Sequence, residues 1–343
     1  MLRAFLALGL SSLFLTAVPS YADAPRAGSA HASAHASAHA SAHASAHRVV
    51  GHGSAASCTA AAFRKAVAQG GTITFDCGPD PVTIVMDRQA EVHNTSRKVV
   101  IDGGGLVTLS GGGRTRILYQ NTCDQRLTWT TSHCQDQATP KLVLRHLTFT
   151  RGDSTGALEE GGGGGAVFVR GGRLSVVDAT FSRNRCDRTG PDLGGAAIRV
   201  LDQFRDQPVK VTDSTFTGGR CSNGGALSSI GVSWLVTDST FRGNKAIGNG
   251  ANPADAGTPG GGSGGAIYLD GNLFTLRLVR TTIEGNRARE GGGAVFFVSN
   301  DRTGTLTIQD STLHDNPSLG FENYPGIFYL GHGEPQISGS TVD

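Results

Sequence analysis

The stretch VTDSTFRGN at residues 236–244 is the last of three near-copies, after VVDATFSRN at 176–184 and VTDSTFTGG at 211–219. The apolar position that is phenylalanine in all three copies recurs along the chain. Its occupants are Phe149, Phe181, Phe216, Phe241, Ile283, Leu313 and Val342. A short unit that returns with the same apolar letter is typical of proteins built from stacked, equivalent turns of chain.

The residues before this position alternate as a β-strand does. The positions five and seven residues earlier are apolar in each copy from 142 to 308, whereas the position between them varies (Ser175, Lys210, Leu235, Arg277). A constant inward column beside a variable outward one indicates copies stacked in register. We therefore expect an all-β fold, a parallel solenoid of about nine rungs.

Glycine marks the turns between the strands. The chain has 50 glycines in 343 residues, without the every-third-residue spacing of collagen. A Gly-Gly-Ala signature separates the aromatic positions, at 164–166, 194–196, 224–226, 264–266 and 292–294. Each unit is therefore a strand, a turn, a second strand, a second turn and a loop of variable length.

These two signatures resemble the polymorphic outer-membrane-protein-type repeats of the right-handed parallel β-helix (pectate-lyase-like) superfamily, marked by Gly-Gly-Ala-Ile and Phe-x-x-Asn. This chain writes them as GGAV, GGAL and GGAI, and as FSRN, FRGN, IEGN and LHDN, over roughly residues 99–343. The stretch FTGG at 216–219 departs from the pattern and interrupts any asparagine ladder. The resemblance implies a right-handed parallel β-helix, and its members include adhesins, autotransporter passengers and polysaccharide lyases.

The N-terminal segment predicts secretion. Arg3 precedes an apolar run from Ala4 to Val18 and a small-x-small cleavage site ending at Ala22, which is typical of a signal peptide over residues 1–22. A retained, uncleaved anchor is the alternative. The apolar run is too short to span a bilayer, so we expect no membrane span.

The next segment, residues 23–56, reads as a disordered linker rich in His, Ala and Ser. Five histidines recur there at every fourth position, from His31 to His47. On a helix they would share one face and could bind a transition metal, whereas the alternative is a spacer with no apolar face to bury.

The folded domain is predicted over residues 57–343 and opens with a capping helix at 57–70, with Ser57 or Thr59 as N-cap and Gly70 as its end. Six cysteines in a secreted chain suggest three disulfides. Cys186 and Cys221 each follow an equivalent phenylalanine by the same number of residues, so stacked rungs would bring them within bridging range. The remaining predicted pairs are Cys58 with Cys77 and Cys123 with Cys134.

The net charge and the lack of several motifs argue against some classes of function. The net charge of +2 offers no large basic field, so we expect no nucleic-acid partner. The sequence contains no phosphate-binding loop, no His-Glu-x-x-His and no nucleophile elbow, so cofactor chemistry is not indicated.

Three cations are candidates for catalysis. Lys210 and Arg277 flank Leu235 on the outward face, and Arg199 lies on the strand after Gly-Gly-Ala. A lyase that eliminates across a uronate needs a base near the C5 proton and a cation for the carboxylate. Solvated surface charge is the alternative for each of these residues.

Three aspartates are candidates for metal binding. Asp178, Asp213 and Asp238 each lie three residues before the aromatic position, so stacking would align their carboxylates. Calcium favours such oxygen ligands. The alternative is a column of solvated turn residues.

Aromatic residues after Gly-Gly-Ala are candidates for carbohydrate binding. If Phe168, Tyr268 and Phe296 point outward, sugar rings could stack on them; in the opposite register they are core. The variable loops carry further candidates for substrate binding: Glu159, Arg289 and Glu290.

A separate tripeptide, Arg-Gly-Asp at 151–153, could mimic an adhesion ligand or occur by chance. Taken together, the sequence predicts a secreted β-helix that binds an extracellular, uronate-containing polysaccharide or cell-surface glycan. Cleavage of that polymer by β-elimination is one extension, and a non-catalytic surface adhesion protein is the alternative.

Overall fold

A computed structural model describes residues 46–128, 131–157, 162–251 and 257–343. The predicted signal peptide and the linker up to residue 45 lie outside the described residues. The described chain is dominated by short parallel strands stacked into a solenoid, as the repeats predict. None of the described helices is long and apolar enough to cross a membrane.

Order begins earlier than the predicted boundary at residue 57. Strand β1 (His47–Val50) pairs in parallel with β2 (Gly71–Phe75), and a 3-10 turn follows at Ala55–Ser57. His47, the last histidine of the repeat, contacts the Thr74 hydroxyl through Nε2 at 2.8 Å. Residues 46–56 therefore belong to the solenoid and not to the linker.

The capping helix forms where it is predicted. Helix α1 (Ala60–Gln69) begins after Thr59, whose hydroxyl accepts a hydrogen bond from the Ala62 amide. Gly70 ends the helix with a φ of 66°, a conformation that glycine adopts without strain. Phe63 and Val67 on its buried face join the main core.

The first rungs contain the longest strands, which run through the bend in the rung without a break. These long strands are β5 (Lys98–Ser110), β7 (Lys141–Thr150) and β9 (Arg173–Ser182), and the short strands of the same rungs are β3 (Val82–Val85), β4 (Ala90–Glu91), β6 (Leu118–Asn121) and β8 (Val167–Arg170). A 3-10 turn at Gln125–Leu127 lies between β6 and β7.

From β10 onward the long strand divides in two at the bend. The middle rungs contain β10 (Ile198–Leu201), β11 (Val209–Thr212), β12 (Thr215–Thr217), β13 (Arg220–Cys221), β14 (Leu227–Ile230), β15 (Trp234–Thr237), β16 (Thr240–Arg242) and β17 (Lys245–Ala246). A 3-10 turn at Phe204–Asp206 precedes β11.

The last rungs repeat the same order. They contain β18 (Ile267–Gly271), β19 (Thr275–Val279), β20 (Thr282–Glu284), β21 (Arg287–Ala288), β22 (Val295–Ser299), β23 (Thr305–Gln309), β24 (Thr312–His314), β25 (Ile327–Leu330), β26 (Gln336–Ser338) and β27 (Thr341–Val342).

The strands form three parallel sheets along the solenoid. We call them sheet A (16 strands, including β5, β7 and β9), sheet B (β4, β6, β8, β10, β14, β18, β22 and β25) and sheet C (β13, β17 and β21). One row of sheet A, from β3 through β5, β7, β9, β12, β16, β20 and β24 to β27, has nine segments, in agreement with about nine rungs.

The predicted aromatic column is buried and stacked. Ring centroids lie 4.8 Å apart between Phe149 and Phe181, 4.9 Å between Phe181 and Phe216, and 4.6 Å between Phe216 and Phe241. The column continues through Ile283 and Leu313 in the pairing of β16, β20 and β24. Equivalent letters are therefore neighbours in space.

An asparagine column lies at the turn after sheet A. The Asn244 Nδ2 donates to Asn286 Oδ1 at 2.9 Å, and the Asn286 Nδ2 donates to Asn316 Oδ1 at 2.9 Å. Gly219 occupies the equivalent position one rung earlier, and only its amide donates to Asn244. The ladder is interrupted there, as the stretch FTGG predicts.

The cysteines pair as predicted. Cys186 and Cys221 bridge adjacent rungs with Cα atoms 4.8 Å apart. Cys58 and Cys77 connect the start of α1 to the end of β2, and Cys123 and Cys134 close a loop. Three disulfides are typical of a protein that folds in an oxidising compartment.

Candidate functional site

The three predicted catalytic cations are not brought together. Lys210 and Arg277 lie in one exposed column of sheet A, on β11 and β19, with Leu235 on the strand between them. Arg199 lies on β10 of sheet B. A general base and a carboxylate-binding cation must reach the same sugar, and this arrangement provides no such convergence.

Arg199 is also buried, with a relative exposure of 2%. Its Nη1 donates to Ser228 Oγ at 2.9 Å, and burial lowers the pKa of its guanidinium to about 10. An additional alanine, Ala197, moves Arg199 one place along the strand, where it pairs with Phe168. Ile198, which lies two residues after Gly-Gly-Ala, pairs with the core residue Val167 instead.

The predicted calcium ligands lie at the bend of each rung. Asp178, Asp213 and Asp238 are exposed and have left-handed backbones with φ of 46°, 50° and 50°. Aspartate adopts this conformation more readily than most residues, which accounts for its recurrence at the bend. Among the described residues, no group of three or more His, Cys, Asp or Glu is arranged to hold a metal ion.

One of these carboxylates already has a cationic partner. The Arg280 guanidinium donates to both oxygens of Asp238, at 2.7 and 2.8 Å, and this contact lowers the pKa of Asp238. Arg280 occupies the same bend position in the next rung, with a φ of 48°. A calcium ion bound at these aspartates would have to compete with this ion pair.

The Arg-Gly-Asp tripeptide does not present its aspartate. The Asp153 carboxylate is 7% exposed and accepts a hydrogen bond from Arg185 Nε at 2.6 Å. Its carboxylate therefore takes part in an internal ion pair.

The predicted aromatic platforms form an outward column on sheet B. The column runs through Tyr119, Phe168, Arg199, Ser228, Tyr268, Phe296 and Phe328. The alternating residues of these strands, such as Val167 and Val169, belong to the main core, whereas Phe168 forms a separate cluster with Tyr119 and Leu127. The outward register is thus correct.

The burial of these rings decides which of them a ligand can reach. Phe168 and Tyr268 are fully buried, so they are not platforms for a ligand. The Arg116 guanidinium lies 5.1 Å from the Phe168 ring centroid. Phe296 is 5% exposed, and it borders a cleft at the C-terminal part of the column.

This C-terminal cleft has a volume of about 540 Å³. Its aromatic wall consists of Phe296, Phe321 and Phe328. The rings of Phe296 and Phe328 stack with centroids 5.3 Å apart, and Phe321 meets the Phe328 ring edge-on at 4.8 Å. The complete lining is Asp270, Phe296, Val298, Asn300, Phe321, Phe328 and Leu330.

The polar side of the cleft is built around Asp270. Its Oδ1 accepts hydrogen bonds from the Gly271 amide at 2.7 Å and the Asn300 amide group at 3.2 Å. Burial raises the pKa of Asp270, although these donors and the Tyr268 hydroxyl oppose the shift. The cleft thus combines apolar rings with a carboxyl and an amide that can bind hydroxyl groups.

Of the candidate site residues named from the sequence, Phe296 is the one that lines this cleft. Asp270 and Val298 could have been found, because each lies two residues after a member of the aromatic column and so faces the same side of sheet B. Phe321 could not, because it reaches the cleft from a loop of irregular length.

The predicted loop residues divide between different roles. The Glu290 Oε1 accepts a hydrogen bond from the Gly250 amide at 3.0 Å, so it joins two loops. Arg289 is exposed, next to sheet C. Glu159 lies outside the described residues.

A larger cleft of about 810 Å³ lies beside helix α1. Its lining includes Arg64, Lys65, Arg88, Glu91 and His93, and no Phe, Tyr or Trp side chain. It lacks the flat apolar surface of the C-terminal cleft.

No protein-family model matches this sequence, and no curated protein or solved structure shows significant similarity to it.

Proposed function

We propose that this protein is a secreted β-helix protein that binds an extracellular polysaccharide, with one sugar unit held in the C-terminal cleft. The observation that supports this best is the contact of Phe296, Phe321 and Phe328 around a cleft that also contains Asp270 and Asn300. Aromatic rings present flat apolar surfaces for the faces of sugar rings, and a few polar groups then fix the orientation of the ligand.

The lining favours a neutral sugar over a uronate at this position. No Lys or Arg is among its residues, and the carboxyl of Asp270 would repel a second carboxylate. The Asp270 carboxyl and the Asn300 amide group can instead form hydrogen bonds with sugar hydroxyls. We therefore propose a neutral pyranose for the cleft itself.

Binding without cleavage is the version that we propose. β-Elimination needs a base and a carboxylate-binding cation at one sugar, and the separation of Lys210 and Arg277 from Arg199 does not support it. Incubation with uronate polymers, with and without calcium, should give no rise in the ultraviolet absorbance of unsaturated product. Such a rise would favour the lyase.

Secretion and the resemblance to outer-membrane-protein-type repeats are part of the same proposal. The three disulfides support an oxidising destination. The alternative is a surface adhesion protein that uses the solenoid as a rigid scaffold. It would also bind glycans, but it would stay attached to the cell surface.

The test is a neutral-oligosaccharide array read with the wild-type protein and with Phe328→Ala. We expect the variant to bind its best ligand about tenfold more weakly, because one stacking surface is lost. Phe204→Ala is the matched control, since Phe204 is a partly exposed phenylalanine of a different turn. An array without ligands, or equal binding by all three proteins, would contradict the proposal.

A further inference from the structure

A column of basic residues runs along sheet C and shares no residue with the lining of the C-terminal cleft. Arg185, Arg220, Lys245 and Arg287 occupy equivalent positions on four consecutive rungs and pair in parallel register. Each directly follows the asparagine position, in the stretches FSRNR, FTGGR, FRGNK and IEGNR. We call these four residues the basic ladder.

The ladder points outward. Its sheet C neighbours Cys221, Ala246 and Ala288 are buried, and side chains alternate along a strand, so the cations face solvent. Adjacent members are about 4.8 Å apart along the solenoid, as parallel strands require. Arg289, just beyond the end of β21, is also exposed.

Most cations of the basic ladder form no ion pair with a described residue. Arg185 forms an ion pair with Asp153, whereas Arg220, Lys245 and Arg287 have no ion pair with any described residue. The nearby Glu284 is already held by Arg242 and His314. Like charges on adjacent strands repel, so the fold keeps an unfavourable arrangement that a bound polyanion would relieve.

The ladder is open on one side. The turn positions two residues before Arg220, Lys245 and Arg287 are glycines with left-handed backbones. A Cβ at Gly243 or Gly285 would meet no atom within 4 Å, so the turns beside Lys245 and Arg287 border open space. A polymer could therefore approach the ladder across these turns.

Two further arginines extend the ladder at its N-terminal end. In the rungs of Arg151 and Arg183, arginine replaces the turn glycine and adopts φ of 51° and 52°. This conformation is unfavourable for a residue with a Cβ, and strain of this kind is retained at functional sites. With Arg185, these arginines line a cleft of about 310 Å³ together with Gly112 and Gly113.

We propose that the basic ladder and this arginine cleft bind an acidic polysaccharide that runs parallel to the solenoid axis. An extended polymer with a carboxylate or sulfate on successive sugars presents repeated charges at a spacing similar to that of the rungs. Nucleic acid is less suitable, because the ladder contains no aromatic side chain on which bases could stack. This inference uses none of the residues of the C-terminal cleft, so either proposal can fail alone.

The experiment measures fluorescence anisotropy of labelled polygalacturonate (carboxylate) and heparin (sulfate) fragments. The test variant is Arg220→Gln/Lys245→Gln/Arg287→Gln. The matched control is Lys98→Gln/Lys141→Gln/Arg173→Gln, which removes three cations from an equally spaced column on sheet A. Neutral dextran and duplex DNA serve as competitors, and circular dichroism establishes that each variant is folded.

We expect the wild type to bind one or both acidic fragments and the ladder variant to bind at least about tenfold more weakly, with a shallower dependence of affinity on salt. The control should change affinity less than about twofold, and dextran should not compete. The ladder variant should also melt higher than the wild type at low salt, because repulsion is removed. Equal losses in both triple variants, stronger binding to DNA, or no binding to either acidic fragment would overturn the proposal.

Discussion

The rings of Phe181 and Phe216 lie parallel, with centroids 4.9 Å apart and an interplanar angle of 4°. Phe216 also stacks on Phe241 at 4.6 Å, so it packs on both sides inside the core. Through this double contact, one rung packs directly against the rungs before and after it.

Replacing Phe216 by a smaller residue should therefore destabilise the protein. We expect Phe216→Ala to lower the free energy of unfolding by about 3–5 kcal/mol, since a fully buried ring is replaced by a cavity. Phe204→Ala, at a partly exposed turn, should cost about 1 kcal/mol or less. Urea unfolding followed by circular dichroism measures both, and similar losses would show that the column is not a core element.

Two glycines near the asparagine ladder should respond differently to alanine. A Cβ at Gly219 would collide with the Gly225 carbonyl oxygen, whereas one at Gly243 would meet no atom within 4 Å. We expect Gly219→Ala to cost about 3 kcal/mol through overpacking. Gly243→Ala should cost about 1 kcal/mol, because only its left-handed backbone is strained. The reverse order in thermal melting would contradict this rung geometry.

Asp270 should make stability depend on pH. Its pKa is raised above 3.8 in the folded state, so the folded protein holds this proton more tightly than the unfolded chain does. The associated stability is present below the unfolded pKa and is lost as pH rises through the folded pKa. The melting temperature of Asp270→Asn should therefore rise relative to that of the wild type as the pH increases from about 3 to about 7. A constant difference across that range would argue against a buried carboxyl.

The aspartates at the rung bends should not make the protein dependent on calcium. Asp238 is engaged by Arg280, and its neighbours are solvated turn residues. We expect calcium to leave the melting temperature unchanged and to produce no heat of binding in titration calorimetry. A rise in melting temperature with calcium that Asp213→Asn removes would restore the metal site.

The rung architecture could be predicted from the sequence because in-register stacking converts equal spacing into contact. The aromatic column, the interruption at Gly219 and the disulfide of Cys186 with Cys221 all follow from that single relationship. The same counting also contained the basic ladder, since Arg220 and Lys245 directly follow equivalent positions. The ladder is not part of the alternating strand pattern, because it follows the aromatic position and lies beyond the turn.

The candidate site was harder to predict because it depends on departures from the repeat. One additional residue, Ala197, moves Arg199 into the buried sheet B column, and counting from Gly-Gly-Ala does not detect this shift. Phe321 joins the cleft from an irregular loop. Burial of the outward ring of Phe168 depends on Leu127 and Arg116, which lie in other rungs and carry no repeat signature.

The in-register stack is tested most directly by mapping the disulfides in a non-reduced proteolytic digest by mass spectrometry. The account predicts a cross-linked peptide pair that joins Cys186 to Cys221, with Cys58 joined to Cys77 and Cys123 to Cys134. A Cys186 joined to any other cysteine, or recovered as a free thiol, would contradict the stacking from which both proposed binding surfaces are built.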